Sequence, residues 1–170
     1  MSIDKVDHPK GFAFAIVAYL LWGFLPIYMK ALSHVPAAEV VAHRVIWSVP
    51  VAMIVLVALR RTSDLKNALR SKRVMGMALL TATLISVNWL TYVYAIATDR
   101  ALDAALGYYV NPLFSVFLGF ALLGEKLTQR QWIAIFLTLL AVAILTYEVG
   151  SLPWLSLILT ISWGFYALFK

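Results

Sequence analysis

The sequence predicts an all-α fold, a polytopic membrane helix bundle, and three observations lead there. First, 63% of the 170 residues are hydrophobic and 13% are charged, against about 45–50% and about 25% in ordinary soluble domains. A soluble chain of this length has too much surface for its volume to hide such an apolar excess from water. Second, six apolar stretches approach the ~20 residues a helix needs to cross the hydrocarbon core. Third, runs such as 51–59 and 133–145 lack the apolar–polar alternation of a membrane barrel strand. A soluble domain, a disordered chain and a disulfide scaffold are excluded together. With no cysteine in the chain, a thiolate metal site and a cysteine nucleophile are excluded as well.

The expected spans are 12–28, 39–59, 74–97, 101–123, 132–147 and 152–169. The first follows Lys5 and Lys10 as a signal peptide would, but it is too long and five more spans follow, so it reads as a retained helix. Pro26 is expected to kink it. On the second span Glu39, His43, Trp47 and Pro50 recur along one helical face, with Arg44 and Ser48 beside them. Two readings stand: an ion pair or snorkelled anchor at the interface, or part of a solute vestibule. Residues 60–73, with six Lys and Arg, read as a solvated loop in preference to a short helix on the membrane surface. Leu65, Ala68 and Leu69 would permit the latter.

On the third span Thr81, Asn88, Tyr92 and Ala95 share a face. Asn88 is either glue between helices or, the preferred reading, a cavity-facing group, because Trp89 and Tyr92 adjoin it. The fourth span holds Pro112 near its middle, which deprives the Tyr108 carbonyl of its helical donor and is expected to kink the helix. Tyr108, Asn111, Ser115 and Gly119 form a small or polar stripe there, fit to line a cavity or to let a neighbouring helix approach. The fifth span is nearly featureless apart from Thr138 and Thr146. Between the fifth and sixth, Gly150 suits a C-cap and Pro153 a first-turn position. Trp132 and Trp154 suit interface anchors.

Basic residues accumulate on the cytoplasmic side of membrane proteins. With the N-terminus inside, eleven of the fourteen Lys and Arg lie inside, and Lys30, Arg44 and Arg100 lie outside. The formal charge of +6 is then a topology signal, and a nucleic-acid partner is not expected. No phosphate loop, His-Glu-x-x-His pair or serine elbow occurs. His43 has no second His or Cys ligand in the membrane, so neither an enzyme nor a metal or cofactor site is expected.

A repeat also begins. Leu21-Trp22-Gly23-Phe24 in the first span returns as Ser162-Trp163-Gly164-Phe165 in the sixth, 141 residues later. A five-helix unit enters the membrane from opposite sides in successive copies, as in the inverted repeats of secondary transporters. The expected bundle is one such unit plus the first helix of a second.

The chain resembles the RarD-type transporters of the drug/metabolite transporter superfamily, the EamA-like proteins. The resemblance rests on Trp22-Gly23-Phe24-Leu25-Pro26, His43-Arg44-Val45-Ile46-Trp47-Ser48, Ser86-Val87-Asn88-Trp89, Gly107-Tyr108-Tyr109-Val110-Asn111-Pro112 and Gly124-Glu125-Lys126. It implies a ten-helix permease of the bacterial inner membrane, built from two inverted units around a central cavity. Residues 1–11 would be a cytoplasmic tail, 12–149 the first EamA-like repeat, and 150–170 the first helix of a truncated second.

The expected function is transport of small amphipathic, metabolite or drug-like solutes by alternating access, with the bilayer and the solute as partners. Trp22, His43, Arg44, Trp47, Asn88, Tyr92, Tyr108 and Asn111 are the expected solute-binding residues. Arg44 or His43 would meet a carboxylate, and Glu39 with His43 is the pair that could respond to protons. The alternative is a non-transporting membrane protein or assembly subunit that needs a partner chain, either the missing second half or a second copy.

Overall fold

The computed structural model describes residues 9–149 and 153–170. They form α1 (Pro9–Ala31), α2 (Ala37–Ala58), α3 (Thr62–Arg70), α4 (Lys72–Ala97), α5 (Ala101–Leu123), α6 (Gln129–Val149) and α7 (Trp154–Phe169). The all-helical expectation holds for these residues. Four helices, α1, α2, α4 and α5, are long and apolar enough to cross a bilayer. Two shorter apolar stretches, Gln129–Ile144 of α6 and the 16 residues of α7, fall below that length. For those two, the six-span expectation rests on sequence alone. Pro26, Pro50 and Pro112 all lie inside helices that continue through them. The expected C-cap at Gly150 lies outside the described residues. Pro153 stands just before α7 rather than in its first turn.

The segment 60–73 departs from expectation. It is not a loop: α3 occupies nine of its residues, because Leu65, Ala68 and Leu69 at i, i+3 and i+4 give it one apolar face.

Helix ends follow local chemistry. Ser71 Oγ accepts the Val74 amide at the start of α4. Thr128 and Gln131 form a reciprocal capping box ahead of α6: the Gln131 amide donates to Thr128 Oγ1, and the Thr128 amide donates to Gln131 Oε1. That satisfies donors the helix itself leaves free. α2 and α4 both end in Schellman turns, through Arg61 N–H to Leu56 O and Arg100 N–H to Ala95 O. The left-handed residues of these turns are Arg60 (φ 55°) and Asp99 (φ 62°), where glycine is the usual occupant.

The centre of the fold is a wedge of α4, α5 and α7. α5 and α7 run in register: Ser156 Oγ donates to Asp103 O at 2.6 Å, and one turn on Thr160 Oγ1 donates to Gly107 O at 2.9 Å. Gly107 makes this approach possible, since a Cβ there would lie 2.9 Å from both Ser156 O and Leu159 Cβ. Leu155 and Leu159 of α7 pack with Tyr92, Val93, Ala95 and Ile96 of α4 and Ala104 of α5. α2 and α1 rest on the α4 side of the wedge, and α6 on the α5 side. α1 engages mainly through its last turns, where Met29 is buried and Lys30 Nζ reaches Asp99 Oδ1 at 2.6 Å.

Candidate functional site

The polar groups of the membrane interior converge on the wedge. Asn88 of α4 is fully buried, at 0% exposure. Its Nδ2 donates to Leu159 O and to Ser162 Oγ, both at 3.0 Å, and its Oδ1 accepts from the Tyr108 hydroxyl at 2.9 Å. The amide orientation follows from its partners: Leu159 O can only accept, and the Ser162 hydroxyl already donates to Ile158 O. This corrects the expectation that Asn88 faces a cavity. Its side chain ties three helices together and fixes where Tyr108 stands.

Around that knot runs a ladder of rings. Trp89 meets Tyr92 edge-on at 5.6 Å, Tyr92 meets Tyr108 at 5.8 Å, Tyr108 meets Trp163 at 6.2 Å, and Trp163 meets Tyr166 at 5.8 Å. The first three pairs are edge-to-face and the last is tilted, and edge-to-face pairs contribute ~0.5–1.5 kcal/mol each beyond their buried area. A cation stands at each end. The Arg44 guanidinium lies 3.6 Å from the Trp89 ring centre, and Lys170 Nζ lies 5.6 Å from that of Tyr166. Aromatic faces carry negative charge density, which offsets part of the cost of holding Arg44 at this depth.

Arg44 borders a cleft of about 230 Å³ between α2 and α4, which Ser48, Ser86 and Trp89 also line. A larger hollow of about 320 Å³ between α5, α6 and α7 is apolar. The hydroxyls in its wall, those of Thr138, Ser156 and Thr160, are all spent on main-chain carbonyls. Those hydroxyls have no proton left to donate to a polar solute, whereas the cleft has the guanidinium and its donors.

Asn111 completes the polar set. It is 6% exposed, and its Oδ1 has no donor among the described residues.

Of the residues expected to bind solute, the structure brings Arg44, Asn88, Tyr92 and Tyr108 together and buries Asn111 one turn beyond Tyr108. It does not bring Trp22 or Trp47 to them. Trp22 is 65% exposed and Trp47 68% exposed, and neither lines the Arg44 cleft. His43 is also exposed, 3.9 Å from Glu39 on its own helix. The sequence reading missed Trp163, Ser162 and Tyr166. The signal for Trp163 was present in the repeated Trp-Gly-Phe triplet. Trp22 of the first copy is exposed, and it is the second copy, on α7, that packs into the wedge.

Residues 9–147 match the EamA-like transporter family. The chain belongs to this family. Among its relatives, an uncharacterized transporter of Vibrio cholerae is 40% identical over the whole chain and 56% of its own length. Protein RarD of Escherichia coli is 37% identical over 99% of the chain and 57% of its own length. The chloramphenicol-sensitive protein RarD of Pseudomonas aeruginosa is 28% identical over 95% of the chain and 55% of its own length. The chain thus spans about half the length of the curated relatives it matches. No solved structure matches it. Family membership and the apolar helices make this a multi-pass bacterial membrane protein of a transporter family.

Proposed function

We propose that the chain forms the first unit of a secondary transporter of the bacterial inner membrane. Its N-terminus is cytoplasmic, and small amphipathic or aromatic solutes move by alternating access. α1, α2, α4, α5 and α6 make up the first inverted repeat, and α7 opens the second. The observation that carries this reading is the ring ladder that ends in Arg44 beside an open cleft. A guanidinium offers paired donors to a carboxylate or a similar group, and rings at edge-to-face spacing offer faces to an aromatic solute. Asn111 Oδ1 adds an acceptor for a solute N–H or O–H. Asn88 positions Tyr108 and is not itself a contact. His43, Trp22 and Trp47 join the site where a second unit closes over the exposed faces of α1 and α2.

One relative carries chloramphenicol sensitivity in its name, so that nitroaromatic amphiphile is the probe. Its exchange is measured in proteoliposomes with and without a pH gradient. H43Q/R44Q is expected to slow exchange at least about tenfold, which corresponds to ~1.4 kcal/mol. Exchange at full rate in that variant removes the site.

A second reading is favoured by the exposed aromatic faces of α1 and α2: the chain acts only with a partner chain that covers them. Chloramphenicol exchange by the purified chain alone refutes it.

A further inference from the structure

The structure assigns a second binding site, for lipid rather than solute: we propose that α3 and its flanking basic residues hold the phosphodiester headgroup of an anionic phospholipid, with Leu69 set among its acyl chains. The proposal does not depend on what the protein transports or on which end faces the cytoplasm. α3 joins α2 to α4, and both are long and apolar enough to cross the bilayer, so α3 lies at the membrane–water boundary on either orientation.

Its faces suit that place. Leu65 and Ala68 are half-buried where α3 rests on α4, while Leu69 on the same face is 58% exposed. Lys66 and Arg70, four residues apart, form the stripe beside Leu69. Arg60 at the end of α2 and Lys72 and Arg73 at the start of α4 lie at the same level. The one acid of the segment, Asp64, is taken by Arg61 at 3.2 Å. The other five cations have no acidic partner among the described residues. Arg60 is also held at φ 55°, a conformation that favours glycine. An arginine at this C-terminal turn position, where glycine is the usual occupant, sets a cation at the end of α2 beside the stripe. An exposed leucine edged by a cationic stripe is the pattern of helices that lie in a charged membrane surface.

The test is native mass spectrometry of the delipidated, detergent-solubilised protein, titrated with equimolar dioleoyl-phosphatidylglycerol and dioleoyl-phosphatidylcholine. The wild type is expected to retain phosphatidylglycerol preferentially. K66Q/R70Q is expected to lower that preference about tenfold. K126Q/R130Q removes the same charge from the same end of the bundle and is expected to leave the preference within about twofold. R60G, which relieves backbone strain and so does not fail by unfolding, is expected to lower it too. Glycerol phosphate in place of lipid is expected to show no saturable binding. The proposal is overturned by a wild type without preference, by equal losses in the two double variants, by an unchanged R60G, or by glycerol phosphate that binds as tightly as the lipid.

Discussion

Replacing Asn88 by leucine tests the wedge most directly. Leucine has nearly the same shape, so little cavity opens and the change isolates the polar contacts. Three hydrogen bonds disappear: those to Leu159 O, to Ser162 Oγ and from Tyr108. Interhelical bonds in membranes average ~0.6 kcal/mol, so their combined loss is about 2 kcal/mol. Leu159 O keeps the Ser162 hydroxyl as a donor, and the Ser162 hydroxyl keeps Ile158 O. The Tyr108 hydroxyl is therefore the group left stranded, and part of the cost is its burial without a partner. Tyr108→Phe in the leucine background should thus be nearly neutral or slightly stabilising, while in the wild type it should cost ~0.6 kcal/mol or more. Equilibrium unfolding in mixed micelles, followed by tryptophan fluorescence, gives all four corners of the cycle. If N88L falls within about 0.5 kcal/mol of the wild type, or if Y108F costs the same in both backgrounds, the three-helix knot does not hold the wedge together.

Gly107→Ala should destabilise by about 1–3 kcal/mol in the same assay, because its Cβ would meet main-chain and Cβ atoms of α7 that cannot turn aside. Gly76→Ala, with nothing within 4 Å of its Cβ, should instead be neutral or stabilising by up to ~1 kcal/mol. Asp99→Gly relieves the left-handed strain while breaking the Lys30 pair. It should be more stable than Asp99→Ala by ~1 kcal/mol, as melting temperatures of the two variants will report. Lys30→Gln should cost under ~1 kcal/mol because that pair is exposed, and the loss should shrink as salt is raised in the unfolding buffer.

Much of this molecule could be read along the chain because the bilayer makes local demands. A span must be apolar for its own length, so four of the six expected stretches lie wholly within described helices, and 101–123 coincides with α5. The cap of α6 is equally local, since Thr128 and Gln131 stand at the spacing of a capping box. Segment 60–73 is harder to read, because its charge outweighs three apolar residues whose spacing makes a face only on a helix. The candidate site was half legible. Arg44, Tyr92, Tyr108 and Asn111 announced themselves as polar or amphipathic groups inside apolar spans. Trp22 and Trp163 looked alike, and nothing local separates two copies of one triplet.

The chain order alone determines that this is a bundle of apolar helices, where most of them begin and end, and which polar groups must be accommodated inside. It does so because burial in lipid and helix capping act on neighbours in sequence. Which groups meet is decided in three dimensions. α7 can lie against α5 because Gly107 lets two backbones touch, and that contact carries Trp163 and Ser162 to Asn88 and Tyr108. α1 meets the wedge mainly at its last turns, so the same Trp-Gly-Phe triplet stays exposed there.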